Sequence, residues 1–146
     1  MTHERSGHTD RGRDGCRVPL PWSDDASPFG FSGPDSSAKP WLPQPASWKD
    51  LTAEAQSEDS ESMLNLYRDA LALRRKLVSQ LPTDVTWLDA GAEVLAFSRS
   101  EAFTCIVNFS DVPIDLPAGH QVLISSDTTD DHTLAPYAAV WLGASE

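Results

Sequence analysis

Arg11-Gly-Arg-Asp-Gly-Cys-Arg-Val-Pro-Leu-Pro-Trp22 sets two arginines, Arg13 and Arg17, four residues apart and runs straight into a Pro-x-Pro-Trp turn. Proline fixes φ and removes a backbone donor, so Pro19 and Pro21 rule out a helix or a central strand here and favour a rigid loop. The guanidiniums of Arg13 and Arg17 are permanently charged, forked donors suited to clamping a carboxylate or a row of hydroxyls. Asp14 is placed to hold one of them. The combination suits the loop of a binding or catalytic pocket. The competing reading is a loop that the arginines merely pin through salt bridges.

On the C-terminal side, the stretch up to about Pro45 stays rich in Pro, Gly and Ser, which forbids long helices. Its Trp22, Phe29, Phe31 and Trp41, with Trp48 just beyond, are unusual for a linker and call for a surface to pack on. From about Ser60 to Leu81 the pattern changes. Met63, Leu66, Tyr67, Ala70, Leu73 and Leu77 recur at three- and four-residue steps, which predicts an amphipathic helix. Asp59 and Ser60 are the expected caps, Arg74 to Lys76 complement the negative helix end, and Pro82 stops it.

Beyond Pro82 come short strand-like runs at 84–88, 93–99, 103–109, 121–125 and 138–142, separated by turn signals such as Ala90-Gly91 and Pro117-Ala-Gly119. Val94 and Ala96 alternate with Leu95 and Phe97, and Thr104 and Ile106 with Cys105 and Val107. Both strand faces are partly apolar, so both are expected to be covered, with Trp87 in the core. The fold class expected is therefore α+β: an extended Pro/Trp-rich loop and one long amphipathic helix, followed by a small antiparallel β-sandwich domain.

The Arg11–Trp22 string resembles the Arg-Asp-Gly-x-Arg-Thr-Pro-Met-Pro-Trp signature of the α-amylase superfamily, glycoside hydrolase family 13, with Val18 and Leu20 in place of Thr and Met. The branch is that of α-glucosidases, oligo-1,6-glucosidases and trehalose-forming enzymes. Phe29-Gly-Phe31, Trp41-Leu-Pro-Gln-Pro45 with Trp48, Glu54-Ala-Gln56, Leu66-Tyr-Arg68 and Leu71-Ala-Leu-Arg-Arg75 follow in the family's order, so the resemblance runs from about Glu4 to Val140.

The resemblance implies two parts. Residues 1–81 would be a remnant of the end of a (β/α)8 catalytic barrel, comprising the active-site loop and the last helix, and residues 82–146 a C-terminal antiparallel β domain. It implies further that Arg13 binds hydroxyls of the non-reducing glucose, with Asp14 and Arg17 in support. In the family the catalytic Asp, Glu and second Asp come from segments before this signature. No Asn-His-Asp occurs in this chain and no catalytic residue is assigned to it. Retaining glycoside hydrolysis needs two carboxylates flanking the scissile bond, so the chain alone is expected to be inactive. The alternative is a non-catalytic β domain with an interaction or accessory role, or a pseudogene product.

Length and composition agree. A whole barrel takes about 250 residues, more than the 146 present. The formal charge of −11, from 11 basic and 22 acidic residues, argues against nucleic acid and anionic membranes as partners. The expected partners are an α-glucoside oligosaccharide in the full-length enzyme, and the missing barrel portion or a second copy of the chain. No apolar run approaches eighteen residues, and Met1-Thr-His-Glu-Arg lacks a signal-peptide core, so a cytoplasmic location is expected. Two cysteines, Cys16 and Cys105, are too few for a disulfide scaffold and are expected to be reduced packing residues. The histidines lack zinc-site spacing, and Asp127, Asp130 and Asp131 read as a solvated turn, so neither a metal nor a cofactor is implied.

Overall fold

Prolines near the start, a 3.6-residue period in the middle and a two-residue period at the end call for a loop, a helix and a sheet in that order. The computed structural model has this sequence of parts and describes residues 7, 9, 18–33, 35–37, 39–40, 42–127 and 132–144. They fall in two compact units, Met1–Tyr67 and Arg68–Glu146.

In the first unit, loop 18–33 leads by way of a 3-10 turn, Ala46–Leu51, to a short helix α1, Ala53–Glu58. Thr52, fully buried, has extended backbone and caps α1 by accepting from the amide of Ala55 at 3.1 Å. The longer helix α2, Met63–Leu77, is the one the periodicity predicts; it starts in this unit, and from Arg68 onward it belongs to the second. It starts later than Ser60 because Ser62 is the capping residue, its hydroxyl accepting from the Asn65 amide at 3.2 Å. Asp59 instead serves the preceding turn, accepting from the Glu61 amide at 3.0 Å. At the other end, Pro82 disfavours helical backbone at Leu81, and a turn through Val78–Leu81 replaces the last expected helical residues.

The side chain of Asn65 ties the two helices together by donating to the carbonyls of Gln56 at 3.0 Å, Ser57 at 3.2 Å and Asp59 at 2.8 Å. No residue of α2 is buried, and Met63 and Tyr67 are 61% and 63% exposed. Among the described residues no helix is long and apolar enough to cross a membrane.

The second unit carries a five-stranded antiparallel sheet in the order β1-β2-β3-β7-β5 and a two-stranded sheet β4-β6. The strands are β1 Thr86–Leu88, β2 Val94–Ser100, β3 Phe103–Asn108, β4 Ile114–Asp115, β5 His120–Ser125, β6 Thr133–Leu134 and β7 Ala139–Ala144. Ala96 lies opposite Ile106, and Ile106 opposite Val140, so their side chains share one face. That face is the core. Ala96, Ile106, Val140 and Leu142 pack with Leu134 and Ala138, and Ile114 of β4 closes over them. The α+β architecture with a small β-sandwich is therefore the fold.

On the opposite face the expected cover is present over β3 and missing at the edge strand β1. There Phe97, Cys105 and Trp141 are register partners, and an aromatic row runs from Trp87 to Phe97 (5.7 Å between centroids), to Phe103 (6.4 Å), to Trp141 (5.5 Å). Phe103 and Cys105 are buried, but Trp87 is 69% exposed and Phe109 59%. Trp87 is thus a surface residue, contrary to its expected place in the core, because β1 is an edge strand of only three residues. Burial pushes the Cys105 thiol up, against a hydrogen bond from Trp141 that acts the other way, and the thiol stays a neutral packing group.

Asn108, fully buried at the end of β3, ties sheet to loops. Its amide nitrogen donates to the carbonyls of Val112 at 2.8 Å and Ala135 at 3.0 Å and lies 3.5 Å from that of Leu134. Its oxygen accepts from the Ser110 amide at 3.0 Å and the Ser110 hydroxyl at 2.7 Å.

Candidate functional site

The described part of the Arg-Asp-Gly-x-Arg signature begins at Val18. Arg13, Asp14 and Arg17, the three residues expected to bind substrate, lie outside the described residues, as do Cys16, Trp41, Asp130 and Asp131. What the structure builds is the platform that follows them.

That platform is held from several sides. Trp22 and Ser23 both donate their backbone amides to the carbonyl of Phe29, at 2.7 and 3.1 Å, closing the loop on itself. Phe29 has φ 53 and Gly30 φ 71, both left-handed. For a non-glycine residue this conformation costs on the order of 1–2 kcal/mol. Phe29 offsets that cost by burying its ring, at 5% exposure, and by accepting both amides. At Gly30 a side chain would collide with Ser23 as well, so glycine is required twice over.

Gln44 staples the loop from the far side, donating to the Pro19 carbonyl at 2.9 Å and accepting from the Ser27 hydroxyl at 2.9 Å. The carbonyls of Pro21 and Trp22 accept from the amides of Ala53 and Glu54 at 3.1 and 3.0 Å, satisfying donors that the start of α1 leaves free. The Glu54 carboxylate in turn accepts from the Asp24 amide at 3.2 Å. The Lys49–Asp24 ion pair at 3.1 Å is well exposed and adds little.

The result is a fixed concavity of about 670 Å³. The half-exposed indole of Trp22 borders it, with Ser23, Ser27, Ser32 and the Asp25 carboxylate around it. An indole, serine hydroxyls and one carboxylate are groups able to contact a neutral, hydroxyl-rich ligand. It offers no metal-like cluster: among the described residues no three His, Cys, Asp or Glu side chains are placed to hold an ion. Sequence reasoning singled out Trp22, Phe29, Gly30 and Glu54 through the family blocks. It missed Gln44 as the staple, because a side chain that bonds backbone 17 and 25 residues away leaves no local spacing to read.

Comparison with known proteins gives this arrangement its class. Residues 2–81 match the family described as Alpha amylase, catalytic domain, and residues 82–141 match the Domain of unknown function (DUF3459). The chain belongs to the alpha-amylase family. It is 35% identical over 104 residues to a probable alpha-glucosidase of Rhizobium meliloti, and 32% identical over 110 residues to the oligo-1,6-glucosidase IMA3 of Saccharomyces cerevisiae. These matches cover 69% and 70% of this chain but 18% of each relative, so the chain spans about a fifth of their length. Among solved structures, the alpha-glucosyl transfer enzyme XgtA superposes with a TM-score of 0.67 at 32% identity, over 92% of this chain and 26% of that one. The trehalose-6-phosphate hydrolase TreA of Bacillus licheniformis shares the fold, with a TM-score of 0.68 over 92% of this chain and 27% of that one, at 24% identity.

Proposed function

We propose that this chain works as the C-terminal portion of an α-glucosidase that hydrolyses α-glucosidic bonds in oligosaccharides of the maltose and isomaltose type, in the cytoplasm. Residues 1–81 supply the closing part of the catalytic domain and residues 82–146 the β domain that follows it in sequence. The observation that carries the reading is the tandem family match, catalytic domain then C-terminal domain, together with relatives named as α-glucosidases and oligo-1,6-glucosidases. In this reading Arg13, supported by Asp14 and Arg17, binds hydroxyls of the non-reducing glucose. The 146-residue chain alone is inactive, because it lacks the paired carboxylate segments.

A chimera tests this. The chain is joined behind the upstream four-fifths of the Rhizobium meliloti relative and assayed on p-nitrophenyl α-glucoside and isomaltose. The chimera is expected to turn over, the chain alone to show no activity, and Arg13→Ala to lower kcat/KM by about 10- to 100-fold, the effect of one lost charge-assisted hydrogen bond. A folded but inert chimera, or turnover by the purified chain alone, overturns the proposal.

The partner that this reading supplies for α2 is the remainder of the barrel. Each large apolar side chain left in water forgoes roughly 1.5–3 kcal/mol of burial, and Met63 and Leu71 of α2 are exposed, with the Tyr67 ring between them in sequence. The isolated chain is therefore expected to self-associate or to bind that segment, and to bind a hydrophobic dye. Sedimentation velocity across a concentration series, repeated on Leu73→Glu, reads this directly. A monomer without dye signal, unchanged by the substitution, would show that the stripe needs no cover.

A further inference from the structure

The end of α2 and the turn after it face the aromatic row of the sheet across a cleft of about 170 Å³, wholly within the Arg68–Glu146 unit. Arg74, Leu77, Val78 and Leu81 line one side, at the spacing of a single helical face. Phe97, Phe103 and Trp141 line the other, with Phe103 and Trp141 edge to face at 5.5 Å. Two positions in this apolar frame are arginines. Arg74 opens the helical face, and Arg99 follows Phe97 by two residues on the same side of β2.

Arg99 is held in place: its Nε and Nη2 donate to the Pro82 carbonyl at 2.9 and 2.5 Å, which leaves its other amino group free to donate elsewhere. Among the described residues no carboxylate lines the cleft or pairs with Arg74 or Arg99. This is notable in a chain of formal charge −11 with twice as many acidic as basic residues. Two like charges beside one apolar cleft repel each other, and an anion set between them relieves that repulsion. The volume is also enough for one aromatic ring, since an apolar cavity of about 150 Å³ takes up a benzene molecule.

We propose that this cleft is a binding site for a small aryl carboxylate, with its ring against Phe97, Phe103 and Trp141 and its carboxylate between Arg74 and Arg99. Edge-to-face contact with Phe103 and Trp141 selects a flat ring. The guanidiniums select a carboxylate over a neutral group, because charge-assisted, forked pairing is the strong form of the bond. Leu77 and Val78 cover the ring's other face. The site is built from residues 74–141 alone and does not depend on glucosidase activity.

The test is a titration of the full 146-residue chain at constant ionic strength with benzoate, with its neutral isostere benzamide and with acetate. The readout is the Trp141 indole N–H resonance, assigned through Trp141→Phe. Benzoate is expected to give a saturable shift with a dissociation constant of about 1 mM, ordinary for so small a ligand, and benzamide and acetate to bind at least about tenfold more weakly. Arg74→Gln, an exposed helical position whose change leaves the fold intact, is expected to weaken benzoate about tenfold and leave benzamide unchanged. No saturable shift, equal binding of benzamide and benzoate, or indifference to Arg74→Gln would each overturn the assignment.

Discussion

Replacing Asn108 by aspartate is expected to abolish the cooperative melt of the β unit. The substitution keeps the shape and the oxygen that accepts from Ser110, but it turns the donating amide group into a second acceptor. The carbonyls of Val112 and Ala135, which now receive its hydrogen bonds, would instead face a carboxylate oxygen in a site with no exposure to water. Each buried group left unsatisfied costs about 1–3 kcal/mol, and a buried charge costs more. The sum is at least about 4 kcal/mol, against a stability of roughly 4–12 kcal/mol for a unit of this size. Asn108→Ala removes the same donors without adding charge and is expected to cost less. Thermal and urea melts followed by Trp fluorescence give the comparison; an aspartate variant melting within a few degrees of the parent would show that the Asn108 hub is dispensable.

Leu134→Ala comes next in size. Leu134 has no exposed surface, although it belongs to a strand of two residues, and it carries the small sheet's contact with Ala96, Ile106, Val140 and Leu142. Truncating a buried leucine removes its transfer energy and leaves a void, together about 3–5 kcal/mol. For a unit of this length, that lowers Tm by more than about 10 °C. Trp87→Ala, a larger deletion, is expected to cost under about 1 kcal/mol because Trp87 is mostly exposed. If the two variants melt in the opposite order, the core lies on the other face of the sheet.

What could be read in advance followed from how each element advertises itself. The helix with Leu66, Ala70, Leu73 and Leu77 and the strands around Ala96 and Ile106 carry long, clean periods, and both are present. Strands β4 and β6 have two residues each, too few to show any period, although Leu134 on one of them is the most buried leucine of the chain. The 3-10 turn and α1 escaped because residues 46–58 hold few apolar side chains to repeat. Trp87 misled because an aromatic in a strand signals strand, not burial, and an edge strand leaves it in water.

At the candidate site the motif located the loop, and Phe29, Gly30 and Trp22 form its frame. The grip of Gln44 and the Asn65 bonds to three carbonyls are long-range and were invisible to spacing. The roles of Arg13, Asp14 and Arg17 rest on the motif and are for the chimera to decide.

The order of strands in the large sheet has a consequence for how the chain is made. β7, the latest in chain order of the five strands of this sheet, lies between β3 and β5, with Ile106 opposite Val140 and Val122 opposite Leu142. Until residues 139–144 leave the ribosome, β5 has no neighbour and β3 exposes one open edge, the kind of surface that recruits strands from other chains. The large sheet therefore closes only after the polypeptide carries β7, and a nascent chain stalled before Ala139 is the form most in need of a chaperone.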